Sequence, residues 1–151
     1  DEFNRQQRGR GHIDVRITAT DISSGILSSA KAGSYDRLSI ARGLSQQRLQ
    51  TYFSPLGDGH WQVKPSLQEA IQFKALNLQS DNFGFDQFDL IYCRNVLIYF
   101  NAELKQRILR KIHAVLAPGA FLFLGASESV SGAEELFDIV NCHPGIVYRK
   151  K

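Results

Sequence analysis

Residues 88 to 100, F-D-L-I-Y-C-R-N-V-L-I-Y-F, constrain the fold of this chain more than any other stretch. Phe88 to Cys93 is nearly all apolar. It reads as a strand buried on both faces, as central strands of parallel sheets are. Asn101 then caps the clearest helix in the chain. Leu104, Ile108, Ile112, Val115 and Leu116 recur there at helical spacing, and Pro118-Gly119 is expected to stop it. Arg94 and Asn95 stand side by side between strand and helix, with Tyr99 four residues further on. A guanidinium at the end of a buried strand is costly without an anionic or polar partner. The three polar groups therefore read as converging on one crevice edge.

The rest of the chain alternates in the same way. His12 to Asp21 predicts a strand, with Ile13, Val15, Ile17 and Ala19 on one parity. Ser23 or Ser24 offers an N-cap for a short helix over 24–32, ended by Gly33. Residues 34 to 43 read as polar and irregular. Ser45 caps a short helix to Tyr52. P-L-G-D-G-H then reads as a turn between two extended pieces, the second being His60 to Lys64. Ala70 to Leu76 predicts a strand that stops at Asn77-Leu78, and Ala120 to Leu124 predicts a late buried strand. Residues 131–137 read as helical. Phe137 to Cys142 and Gly145 to Tyr148 flank a turn and suggest a closing hairpin. Before them, Asp1 to Arg8 reads as the end of a helix, followed by a turn at Gly9-Arg10-Gly11. This alternation predicts an α/β fold with a mostly parallel sheet. The body would comprise 1–33 and 70–151, and 34–69 would be a small antiparallel β insert.

Composition narrows the classes. A chain of 151 residues with 43% hydrophobic content holds one core and hardly two. No apolar run reaches the roughly 18 residues of a membrane span, and the charged opening D-E-F-N-R-Q-Q-R carries no signal peptide. The net charge of +3 is mild and spread, so nucleic acid is not the expected partner. Two cysteines and four histidines form no recognisable metal site. Cys93, ending a strand, reads as a small apolar filler in a reducing, cytoplasmic setting. The chain has no Met, so it is expected to be a fragment or a processed product.

In parallel sheets ligands sit beyond the carboxyl ends of the strands. Asp21, Asn77-Leu78, Arg94-Asn95 and Ser127-Glu128-Ser129 are the residues at those ends. A carboxylate at Asp21 can accept two hydrogen bonds from a ribose diol, and it is equally a plain helix cap. Asn77 offers donors and an acceptor to an adenine edge, with Leu78 over the ring. Taken alone, the pair reads better as a turn Asn beside a core Leu. No G-x-G-x-x-G follows any strand, which argues against a Rossmann-type dehydrogenase.

Residues 88 to 100 closely resemble the signature of the chemotaxis receptor methyltransferases, the CheR family. A-T-D-I-S (19–23), A-G-S-Y (32–35), R-G-L (42–44), L-Q-T-Y-F (49–53) and F-K-A-L-N-L (73–78) resemble further family segments in order. So do L-A-P-G-A-F-L-F-L-G-A-S-E-S (116–129) and V-Y-R-K (147–150). The resemblance implies a Rossmann-like class I methyltransferase fold with S-adenosylmethionine as cofactor and S-adenosylhomocysteine as product. It implies transfer to glutamate side chains on the cytoplasmic helices of chemoreceptors, giving a γ-methyl ester. By position, Asp21 would bind the ribose, Asn77 and Leu78 the adenine, and Arg94 and Asn95 would line the cofactor cleft. Tyr99, with Arg94, would stand near the methyl group and the incoming carboxylate.

A glutamate, with an unperturbed pKa of about 4.3, is already ionised at neutral pH and needs no base. The lack of a metal-ligand cluster or a catalytic triad in the sequence accords with that chemistry. The insert would be the family's β-subdomain, which in some members docks a receptor tail peptide. The turn S-P-L-G-D-G-H is shorter and less Gly-rich than in those members, so tail docking is not expected here.

Two family features are expected to be missing from this sequence, the helical N-terminal domain that contacts the receptor being one. The Gly-rich methionine-binding loop, with the strand before it, does not occur, and R-G-R-G at 8–11 precedes a strand and opens no helix. The fold is thus expected to be incomplete, with unpaired strand edges that invite dimerisation, strand exchange or a partner segment. The fragment alone would be weak or inactive. The rival reading is a remnant module that binds a receptor or another partner without catalysis.

Overall fold

The computed structural model describes residues 14–41, 43–143 and 145–151. The readings at Asp1 to Ile13, including the helix end and the Gly9–Gly11 turn, lie outside the described residues. The chain divides into two compact units, Asp1–Leu76 and Asn77–Lys151.

In the first unit, β1 (Ile17–Asp21) pairs in parallel with β5 (Ile71–Ala75), from Ile17 opposite Ile71 to Asp21 opposite Ala75. Among the described residues the expected strand over 12–21 starts at Ile17; its first two positions, 12 and 13, lie outside them. Its partner supplies the reason: β5 begins at Ile71, and the Ile17 amide already reaches back to the Ala70 carbonyl. A parallel pair needs a long crossover. Here that crossover carries helix α1 (Ser24–Ala32), which starts on Ser23, whose hydroxyl accepts the Ile26 amide. It ends at Gly33 in the left-handed region, φ 64°, where a glycine carries no Cβ penalty.

A three-stranded antiparallel sheet follows in the order β2 (Ser34–Asp36), β4 (His60–Val63), β3 (Phe53–Gly57). Asp58 and Gly59, both at positive φ, join β3 to β4, as a type I′ connection requires. Residues 34–41 are not irregular, as the sequence suggested. They form β2 and a helix α2 (Arg37–Ala41), and the Asp36 carboxylate accepts the Ser39 amide at its start. Polarity hid both elements, because β2 is an exposed edge strand and α2 buries only Ile40. Helix α3 (Gln46–Tyr52) is capped by Ser45 as expected. The Lys64 ammonium crosses to the carbonyls of Gln50 and Thr51 near its end, and a single turn α4 (Pro65–Gln68) leads to β5.

In the second unit a four-stranded sheet runs β6 (Phe88–Cys93), β7 (Leu116–Leu124), β9 (Gly145–Lys150), β8 (Phe137–Cys142). The β6–β7 pair is parallel, and β9 is antiparallel to both of its neighbours. β6 has the expected bounds but is not buried on both faces. Cys93 is buried and Ile91 half-buried, while Leu90 and Tyr92 on the other face are exposed. Within its unit β6 pairs on one side only, with β7. The Tyr92 ring stacks on Phe123 across that pair at 4.8 Å, so its apolar surface serves a cross-strand contact rather than burial.

Helix α5 (Ala102–Val115) starts on Asn101, whose Oδ1 accepts the Leu104 amide at 2.9 Å. It stops at Val115, earlier than Pro118-Gly119. Leu116 is already extended and pairs with Phe88, so Pro118-Gly119 falls within an irregularity of β7 before the register resumes at Leu90 and Phe121. The Lys150 ammonium closes the helix end by donating to the carbonyls of His113 and Leu116. Residues 131–137 give only a short 3₁₀ turn, Glu134–Leu136, because Phe137 is drawn into pairing with Lys150. The expected closing hairpin is present and extends to Lys150, with Asp138 and Arg149 paired at 3.1 Å.

Ile108 and Leu109 of α5 and Leu116 and Leu122 of β7 are wholly buried and form the core of this unit. Leu109→Ala is expected to cost about 2–5 kcal/mol in denaturant unfolding, against roughly 0.5 kcal/mol or less for the exposed Glu103→Ala. Equal effects from the two variants would mean that Leu109 is not a core residue.

Candidate functional site

The predicted residues fall at strand ends in both units. In the first, Asp21 closes β1 and is half-buried. Its Oδ1 accepts the Ser23 amide at 2.8 Å, and Ser23 in turn caps α1. The carboxylate therefore shapes the entry to the helix with one oxygen, Oδ1. The Leu76 amide donates to the Asp21 carbonyl, so β1 and β5 end together.

In the second unit, Asn77 and Leu78 open a tight turn. The Asn77 Oδ1 accepts the Gln79 amide at 2.9 Å and its carbonyl accepts Ser80 N at 3.0 Å. Lys111 of α5 anchors this turn from below. Its ammonium donates to the carbonyls of Leu78, at 2.8 Å, and Ser80, and lies 5.4 Å from the centre of the Phe83 ring. Partial burial pulls the Lys111 pKa below the usual lysine value, and the nearby Arg107 charge adds to this. No sequence signal marked Lys111, because its partners are backbone carbonyls about one β–α unit away.

Arg94, Asn95 and Tyr99 follow β6. Arg94 is exposed, and no described residue pairs with it. Its strand ends at the protein surface, so the guanidinium meets no desolvation cost. Tyr99 is 79% exposed, at the end of a 3₁₀ turn, Leu97–Tyr99. Leu97, only 1% exposed, plugs that turn into the core. Asn95 adopts φ 58°, a left-handed conformation that asparagine tolerates better than most side chains.

What holds this turn is Glu128, from the strand-end segment Ser127–Ser129. Its Oε1 accepts the amides of Val96 at 2.9 Å, Leu97 at 2.7 Å and Ile98 at 3.3 Å. Its Oε2 accepts those of Asn95 at 2.7 Å and Gly125 at 2.6 Å. Gly125 makes the approach possible. A Cβ there would lie 2.5 Å from the Glu128 Oε2 and 2.7 Å from the Asn95 Oδ1. Partial burial by itself raises the Glu128 pKa. The amide bonds from Asn95, Gly125, Val96 and Leu97 outweigh it and hold the carboxyl below the usual glutamate range. Cys93, just before, is a free buried thiol. Burial pushes it up to about 11, with the Glu128 charge adding to the rise, so it is an inert filler as expected.

In the first unit a parallel strand thus closes on an acid, Asp21, and the second unit opens on an amide-bearing turn at Asn77. The overall fold of the chain is that of a class I methyltransferase. The N-methyltransferase NodS of Bradyrhizobium japonicum, solved with S-adenosyl-L-homocysteine, matches with TM-score 0.55 at 16% identity, over 89% of this chain and 66% of its own. The family model described as CheR methyltransferase, SAM binding domain, matches residues 3–146, and the chain belongs to that family. S-adenosylmethionine is accordingly the cofactor of the domain. Chemotaxis protein methyltransferase Cher2 of Pseudomonas putida and chemotaxis protein methyltransferase 1 of Pseudomonas aeruginosa are each 48% identical over all 151 residues. A chemotaxis protein methyltransferase of Vibrio parahaemolyticus is 45% identical over 97% of the chain. The chain spans about half the length of these relatives, 55%, 55% and 54%.

The depressed Glu128 pKa sets the sign of a pH effect. The ionised form is favoured in the folded chain, so its stabilisation is fully present above the ordinary value of 4.5 and fades as pH falls through the lower folded value. Wild type should exceed Glu128→Gln in denaturant stability at about pH 7, and the gap should close as pH falls through the lowered folded value. A gap of constant size would show that the carboxylate charge is not what stabilises the turn.

Proposed function

We propose that this chain is the cofactor-binding part of an S-adenosylmethionine-dependent enzyme that esterifies glutamate side chains on the cytoplasmic helices of chemoreceptors. The observation that carries this reading is the pair Arg94 and Tyr99. Their side chains are exposed and carry donors that no described residue engages, in a chain that belongs to the CheR family almost end to end. When bound, the cofactor supplies a methyl group on a sulfonium that is open to in-line attack.

The residues divide the work as follows. Asp21 accepts from the ribose hydroxyls through its Oδ2. Asn77 reads the adenine edge through its remaining amide donors, Leu78 covers the ring and Asn95 lines the cleft. Arg94 and Tyr99 donate to the incoming carboxylate and strip it of water. The carboxylate arrives ionised, so orientation at roughly 3–3.5 Å from the reacting carbon replaces base catalysis. Residues 34–69 serve as a β-subdomain carried by an α/β body made of 1–33 and 70–151.

Two measurements test the site. Calorimetric titration of the chain with S-adenosylhomocysteine should show micromolar binding that Asp21→Ala abolishes. In the longest natural protein that contains this chain, Tyr99→Phe should leave that affinity nearly unchanged and slow methyl transfer roughly tenfold or more. A loss of affinity as large as the loss of rate would place Tyr99 on the cofactor instead of the carboxylate. Absence of binding by the chain would favour the non-catalytic remnant.

The partner reading rests on β6, which within its unit pairs only with β7 and leaves one edge open. Dimerisation or strand exchange of this chain through that edge is expected at micromolar concentration. A monomeric mass by light scattering would remove this reading.

A further inference from the structure

Four consecutive amides, Asn95 to Ile98, converge with the Gly125 amide on one carboxylate. None of the four finds a backbone acceptor among the described residues, because they open a 3₁₀ turn whose first donors have no partner within it. Arg94 and Tyr99 flank this segment directly. Its inner side is fixed by the buried Leu97, and its outer side chains, Arg94, Asn95, Ile98 and Tyr99, are exposed. The backbone between them has no strand or long helix to define it. Its direction is set by the core contact of Leu97, the local bonds from Tyr99 N to the Val96 carbonyl and from Phe100 N to the Leu97 carbonyl, and Glu128.

We infer that Glu128 is a positioning residue for methyl transfer: its carboxylate sets the course of the backbone from Asn95 to Ile98 and thereby the placement of Arg94 and Tyr99. The inference rests on the function proposed for those two side chains. Three features separate it from an ordinary turn cap. Both oxygens are used, so the carboxylate is fixed in rotation as well as in place. The bonds span 30 to 33 residues of sequence, joining the ends of two neighbouring parallel strands, β6 and β7. The left-handed Asn95 is held by one of the two shortest bonds that the segment gives to Glu128. Gly125 belongs to the same device, since any side chain there would push Glu128 and Asn95 apart.

The chemistry of the substitution gives the test. In Glu128→Gln one oxygen becomes an NH₂ group that faces amide donors, so at least two of the five bonds are replaced by donor–donor repulsion. In Glu128→Asp the charge remains but the reach shortens. The assay uses the longest natural protein containing this chain, with saturating S-adenosylmethionine and its receptor substrate. Displacement of a catalytic group by about 1 Å costs on the order of a hundredfold in rate, so kcat should fall between tenfold and a hundredfold in Glu128→Gln. The affinity for S-adenosylhomocysteine should fall by less than kcat does, because Asp21 and Asn77 are untouched and only Asn95 at the cleft edge moves with the segment. Glu128→Asp should recover part of the lost kcat. Tyr99→Phe is assayed alongside.

If Tyr99→Phe slows transfer and Glu128→Gln, well folded, does not, the positioning role is wrong and the functional reading survives. If neither slows transfer, the functional reading fails and takes this role with it. A second measurement needs no variant. In wild type the amide proton resonances of Asn95, Val96, Leu97, Ile98 and Gly125 should move together in acid with a single midpoint, below that of an ordinary glutamate. Separate midpoints, or no movement, would overturn the shared carboxylate even if Glu128→Gln does not fold.

Discussion

The amides that follow a β-strand into a 3₁₀ turn have lost the ladder and have not yet gained a helix. Asn95 to Ile98 are four such donors in sequence. Left without acceptors they would cost on the order of 1–3 kcal/mol each wherever water is excluded, so the turn could not sit against the core through Leu97. Glu128 supplies one acceptor group for all four and for Gly125. The exposed edge of the second unit depends on this. With the carboxylate in place the backbone needs no further partner, and the side chains of Arg94 and Tyr99 are left to the surface.

A similar solution recurs wherever an element ends. Gln62 and Lys64 reach the last carbonyls of α1 and α3, Lys111 those of the turn after β5, and Lys150 those at the end of α5. In each case a long polar side chain, brought from elsewhere in its own unit, satisfies backbone groups that the local segment cannot. These residues stand on the surface in the sequence pattern and look interchangeable with any other Lys or Gln.

That explains which parts of the molecule were legible in the sequence. Periodicity and caps gave β5, β6, α1, α3, α5 and the closing hairpin, because burial and turn chemistry there are local. The signature at 88–100 pointed to the family, and the family match agrees. Three readings failed where a partner strand decides. Among the described residues β1 starts where β5 begins, α5 ends where β7 takes over Leu116, and the helix foreseen over 131–137 yields to the pairing of Phe137 with Lys150. The apolar β6 was read as doubly buried because composition does not distinguish a covered face from one whose rings stack on a neighbour, as Tyr92 does on Phe123. Glu128 lay at a strand end marked for attention, yet nothing local told that its five partners include residues some thirty positions earlier.

Which polar atoms the fold engages, and which it leaves over, is the most direct link from this structure to chemistry. Glu128 is fully engaged at both oxygens, so it is not free to serve as a base or to bind substrate. Lys111 has its ammonium on two carbonyls. Asp21 and Asn77 each accept a backbone amide through one side-chain oxygen. Arg94 and Tyr99 are engaged through no side-chain atom among the described residues. Under the proposed function, this gradient runs from groups that hold backbone to groups offered to ligands. It suits a reaction whose acceptor is already an anion. Such a reaction needs fixed acceptors for a ribose and available donors for a carboxylate, and it needs the backbone that carries those donors to be held by something that does not itself take part.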